Sequence, residues 1–117
     1  MEEKAELIDP GFDIADGEDV NYSFDGDKLV FKFTDWKEQE IVVECENVIG
    51  FKYQWATYEY LSEERFDSSH IIHYSKWLQE HIRQGETWNE KKWCHYKLNF
   101  NAAGVMMEIL CSNMIKI

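Results

Sequence analysis

Residues 93–111, WCHYKLNFNAAGVMMEILC, alternate two sets of side chains on either side of a four-residue turn. Cys94, Tyr96, Leu98 and Phe100 share one strand parity, and Trp93, His95, Lys97 and Asn99 the other. After the Asn101–Gly104 turn, Val105, Met107, Ile109 and Cys111 alternate with Met106, Glu108 and Leu110. A period of two is the spacing of an extended strand, and two such runs joined by a short Gly-containing turn make an antiparallel hairpin. Any fold of this chain has to accommodate that hairpin, which commits it to an antiparallel sheet.

More strands precede it. In FDGDKLVFKF, Asp25-Gly26-Asp27 is a turn signal, and Leu29, Phe31 and Phe33 then alternate with Val30 and Lys32. TDWKEQ turns the chain again. EIVVECENVIGFKYQW is β-branched and aromatic, with Ile41, Val43 and Cys45 on one face before Gly50 and Phe51, Tyr53 and Trp55 on one face after it. Gly50 reads as a bulge or sharp bend. One helix stands out in YSKWLQEHIRQG, spanning roughly residues 75–84. Ser75 is the N-cap, Gly85 lies just past the end, and Trp77, Leu78, His81 and Ile82 form one apolar stripe. The expectation is an α+β fold: an antiparallel sheet of about five or six strands with one helix packed on one face. At 117 residues the chain is a single domain, with residues 1–19 read as an acidic arm or irregular lead-in around Pro10 and Gly11.

Charge is the strongest compositional signal. Acidic residues outnumber Lys and Arg 23 to 12, for a net charge of −11. Ten of the acids fall within residues 1–27, against one base, while residues 67–117 are close to neutral. A field of this sign repels nucleic acid and anionic membrane, and it steers basic partners toward the acidic end. No apolar run approaches the ~20 residues of a membrane span, and the acidic N-terminus lacks the features of a signal peptide. Cys45, Cys94 and Cys111 are odd in number and widely spaced, which points to reduced thiols and a cytoplasmic location.

Catalytic and metal motifs are missing. His70 and His73 point to opposite faces of an extended segment, as do Cys94 and His95, so neither pair converges on a metal. DIADGED resembles a calcium loop, but counting from Asp13 the third, fifth and twelfth ligand positions are Ala15, Gly17 and Phe24. There is no nucleophile elbow and no glycine-rich phosphate loop. The reading is a non-enzymatic chain with no metal and no cofactor.

What remains is aromatic residues beside acids. FKYQWATYEY holds five rings in ten positions, and Glu59, Glu63 and Glu64 accompany Tyr58 and Tyr60. Tyr and Trp next to carboxylates are the material of protein interfaces. The partner-binding set is therefore read as Asp13, Asp16, Glu18 and Asp19 of the acidic end, with Tyr58, Glu59, Tyr60, Glu63 and Glu64. The segments FTDWKEQEIVVECENVIGFKYQW, SKWLQEHI and HYKLNFNAAGVMMEIL, under half the chain, resemble the small immunity proteins of bacterial polymorphic-toxin and contact-dependent growth inhibition systems. That resemblance implies a stoichiometric inhibitor of one cognate toxin domain, often a basic nuclease, acting by covering its active site. The competing classes are a small-ligand module using an aromatic sheet face and a small enzyme. Oligomeric state is left open.

Overall fold

The structure, a computed structural model, describes residues 1–57, 59–85 and 93–117. Along the chain run β1 (Lys4–Leu7), β2 (Glu18–Phe24), β3 (Leu29–Thr34), β4 (Glu40–Glu46), β5 (Gly50–Trp55), β6 (Ser69–His73), α1 (Lys76–Arg83), β7 (Cys94–Phe100), β8 (Val105–Cys111) and β9 (Asn113–Lys116). These nine strands of the described residues form two antiparallel sheets, not one sheet of five or six. One has the order β1-β6-β7-β8-β5 and the other β2-β3-β4-β9. The α+β class holds, but the sheet is larger than the alternation alone suggests and is split in two.

The expected hairpin forms in register, with Phe100 opposite Val105 and Cys94 opposite Cys111. Its Leu98, Phe100, Met107, Ile109 and Cys111 side chains face the second sheet, which contributes Leu29, Phe31, Phe33, Val43 and Cys45. Phe100 meets Phe33 edge-on at 5.3 Å and Phe31 at 6.4 Å. Burying each such ring is worth roughly 1.5–3 kcal/mol, so the contact between the sheets is the main stabilising layer.

Residues 1–19 are not a free arm. Lys4–Leu7 add a strand to β6, with Ala5 opposite Ile72 and fully buried. Phe12 and Ile14 then close one end of the core, and Phe12 lies 6.1 Å from Phe31. Such a short strand followed by an irregular plug carries too little periodic pattern to be read locally.

The other face of the five-stranded sheet is covered as well. The Ser75 side chain accepts the Leu78 amide at 3.0 Å, capping α1 as its sequence predicts, and Gly85 at φ +81° follows its end. Trp77, Leu78, His81 and Ile82 are only half-buried on the sheet. The helix sits over Gly50, Lys52 and His95, where Lys52 Nζ lies 4.1 Å above the Trp77 ring. Phe51 and Tyr53 therefore face away from the helix. They pack between the sheets on Tyr22 and Phe24, with ring centroids 4.8–5.9 Å apart. Among the described residues, no helix is long and apolar enough to cross a membrane.

Candidate functional site

The acidic end is built by two tight connections. Between β1 and β2, the Gly17 amide donates to the Ile14 carbonyl at 2.9 Å, and an added Cβ at Gly17 would fall 2.9 Å from that oxygen and 3.1 Å from the Phe33 ring. Only glycine allows so close an approach. It draws the chain onto the core while its neighbours Asp16 and Glu18 stay exposed. Between β3 and β4, the Asp35 carboxylate accepts the Lys37 and Gln39 amides, each at 2.9 Å. This Asx-type turn holds Trp36 outward at 56% exposure, with Lys37 Nζ 5.0 Å from its ring centre.

The two connections meet. Asp16, Glu18, Asp19, Asp35 and Glu38 line one surface hollow with Trp36. The carboxylates of Asp16, Glu18 and Asp19 have no partner among the described residues, whereas Asp13 is engaged locally, accepting the Ala15 amide at 2.9 Å. Five acids around an exposed indole make a face of strong negative potential with an apolar centre. Such a face attracts cations and guanidinium groups.

The second predicted group lies elsewhere. Glu63 is exposed beside β1, His73 and Tyr74, not with Asp16 and Glu18. Glu59 is exposed, and Tyr58 lies outside the described residues. Tyr60 is half-buried, its ring 5.3 Å from Phe66 and its hydroxyl accepting from Asn101 Nδ2 at 3.0 Å. Glu64 is unavailable to a partner. Its side chain is fully buried, held by Lys97 Nζ at 2.9 Å, Asn99 Nδ2 at 2.9 Å and the Leu61 amide at 3.0 Å. The candidate site therefore keeps Asp16, Glu18 and Asp19 and gains Asp35, Trp36 and Glu38. TDWKEQ shows a turn with Trp36 beside acids, but the approach of that turn to residues 16–19 depends on β2 pairing with β3.

One buried arrangement has the composition of a catalytic triad. Ser75 Oγ lies 2.6 Å from His95 Nδ1, and His95 Nε2 lies 2.8 Å from Glu108 Oε1. Burial works against ionising Glu108. The hydrogen bond and charge of His95, with the Lys97 and Lys52 charges, outweigh it, holding the carboxyl below its usual range. An ionised carboxylate only accepts, so His95 carries a proton on Nε2, and in the neutral ring Nδ1 accepts from Ser75. Ser75 is only 3% exposed, and its oxygen already accepts the Leu78 amide. The relay anchors the start of α1 on β7 and β8 and leaves the hydroxyl little access to a substrate.

Comparisons with protein-family models, with curated proteins and with solved structures find no match.

Proposed function

We propose that this chain is an immunity-type binding protein that docks a basic toxin domain on its acidic end and covers that domain's active site. The observation that carries the reading is the hollow in which Asp16, Glu18, Asp19, Asp35 and Glu38 surround the exposed Trp36. A carboxylate-rich face with an indole at its centre imitates the phosphates that a nuclease cleft accepts, and it favours fast, electrostatically steered association. The free thiols of Cys45, Cys94 and Cys111 suit a reducing compartment, and the reading sets the inhibitor in the cytoplasm. The aromatic-face ligand module has less behind it, because Phe51 packs on Tyr22 and Phe24 and Tyr53 leans on Tyr22, which leaves Trp55 as the one fully open ring of β5.

The test is to capture the partner and measure its association kinetics at two salt concentrations. Replacing Asp16, Glu18 and Asp19 together by Lys is expected to slow association and flatten its salt dependence, with little change in folding stability. Trp36→Ala is expected to speed dissociation. If the triple variant associates at the wild-type rate in low salt, the acidic end is not the docking face and the acidity serves solubility.

A further inference from the structure

We propose that the open edge of β5 receives an extended basic segment of the partner by strand addition; this rests on the reading of the acidic end as the docking face. β5 is the last strand of its sheet. The Ala56 amide donates to the Gly104 carbonyl at 2.9 Å, and the register runs from Trp55 opposite Val105 to Gly50 opposite Leu110. The direction of hydrogen bonding alternates along an antiparallel strand. Ala56, Gln54, Lys52 and Gly50 therefore turn their N–H and C=O groups toward β8. Phe51, Tyr53 and Trp55 turn theirs outward, where no partner takes them up among the described residues.

Sheet edges are ordinarily blunted by proline, inward-pointing charge, a bulge or a covering segment. Among the described residues, β5 is blunted only at its start: the Ile49 amide also reaches the Leu110 carbonyl, at 2.9 Å, so two residues oppose one there. Lys52, the strand's one charged side chain, is drawn over Trp77 on the helix side. The far half carries Tyr53 at 37% and Trp55 at 80% exposure, lining an apolar hollow with Gln54 and Val105. Unpaired backbone groups beside exposed rings match what strand addition uses, main-chain bonds for affinity and alternate side chains for selection.

Charge selects the occupant. The Trp55 end of β5 lies toward the acidic end, and the Tyr53 hydroxyl reaches to 3.5 Å from the Val20 carbonyl, one residue after Asp19. A strand laid along β5 runs past the Glu18–Asp19 corner, so its polar positions have to be cationic. A second copy of the chain would instead bring together two molecules of net charge −11.

The probe is a capped eight-residue peptide alternating Arg and Val. Its affinity is measured by fluorescence anisotropy and its footprint by amide hydrogen exchange. Proline at an outward edge position removes a donor that the β5–β8 ladder does not use, so Trp55→Pro is compared with Trp55→Ala, with far-UV circular dichroism confirming the fold of both. The expected result is slowed exchange at Phe51, Tyr53 and Trp55, and binding by Trp55→Pro about tenfold weaker than by Trp55→Ala. Equal affinities of the two variants, or no peptide binding to the wild type, overturn strand addition. If Pro and Ala match while the Asp16, Glu18 and Asp19 charge reversal abolishes binding, the edge proposal fails and the acidic-end reading survives. If binding is lost on Trp55→Pro but unmoved by charge reversal, the edge stands and the acidic-end reading fails. A dimer of the free protein that Trp55→Pro dissociates assigns the edge to a second copy and overturns the basic occupant.

Discussion

Lys97 Nζ lies 2.9 Å from Glu64 Oε2 on the face of the five-stranded sheet turned away from the main core, and both side chains are almost completely withdrawn from solvent. The pair pins the segment after Tyr60 onto β7. Asn99 Nδ2, 2.9 Å from the same carboxylate oxygen, and the Leu61 amide satisfy the remaining acceptor sites. Removing one partner of a buried pair strands the other charge, at a cost of about 3–5 kcal/mol. Glu64→Ala is expected to lower the free energy of unfolding by that amount in chemical denaturation. Glu64→Gln combined with Lys97→Met should recover most of the loss, and a Glu64→Ala protein as stable as the wild type would contradict the account.

Gly50 and Trp77 set the seat of the helix. A Cβ on Gly50 would come within 2.7 Å of Trp77 Cζ2 and 3.0 Å of Leu110 Cδ1. Gly50→Ala should therefore cost about 1–3 kcal/mol through overpacking and shift the fluorescence of Trp77. Adding Trp77→Leu should relieve part of the cost. Because the Trp77 ring is only half-buried, Trp77→Ala alone is expected to fall below the ~3–5 kcal/mol of a fully buried aromatic. Thermal and denaturant unfolding of the three variants checks both statements.

The elements legible in the sequence are those whose signals are local. The 93–111 hairpin announces itself by alternation, and α1 by Ser75 and Gly85 at its ends. Alternation shows that a strand has two faces, but not which sheet lies against each. His95, Lys97 and Asn99 share one parity in the hairpin, and only the fold shows that all three are buried beneath α1 and the loop before β6. Nothing in LSEER separates the exposed Glu63 from the buried Glu64, because the partner that distinguishes them, Lys97, is 33 residues away. Asp16, Glu18 and Asp19 were legible as charge. Their meeting with Trp36 and Glu38 was not, since it arises from the pairing of β2 with β3.

The three cysteines, spread along the sequence, converge in the fold. Cys94 lies opposite Cys111 in the ladder, and a hydrogen bond with Cys111 together with burial pushes the Cys45 thiol far above its ordinary range. Cys45 and Cys111 are buried, whereas Cys94 is half-buried. The thiolate is the reactive form, so iodoacetamide at mildly alkaline pH should label Cys94 first. Cys45 and Cys111 should react only at the rate at which the core opens. Peptide mass spectrometry over a labelling time course reads this directly, and alkylation of Cys45 as fast as Cys94 would count against it.

His70 should make the fold acid-sensitive. It is fully buried on β6, and its Nε2 accepts the Arg65 amide at 3.0 Å, which leaves the neutral ring's proton on Nδ1. Among the described residues Nδ1 has no well-formed hydrogen bond. Burial is the main influence on the ring and lowers its pKa from 6.5. The Lys97 and Arg65 charges act in the same direction, while the Lys97 backbone and the Glu64 charge oppose it. The folded ring therefore resists a proton that the unfolded chain accepts near pH 6.5. Between that pH and the lower folded value the unfolded state binds more protons, so stability is full above about pH 6.5 and declines as the pH falls. The decline from this one group is at most about 1.4 kcal/mol per pH unit. A protonated ring can no longer accept from Arg65, so the segment from Leu61 to Asp67 should loosen first. Urea unfolding from pH 7.5 to 5 is expected to show the wild-type midpoint dropping, and His70→Gln, which keeps an acceptor but does not titrate, should flatten that slope. A His70→Gln profile parallel to the wild type would remove His70 as the cause.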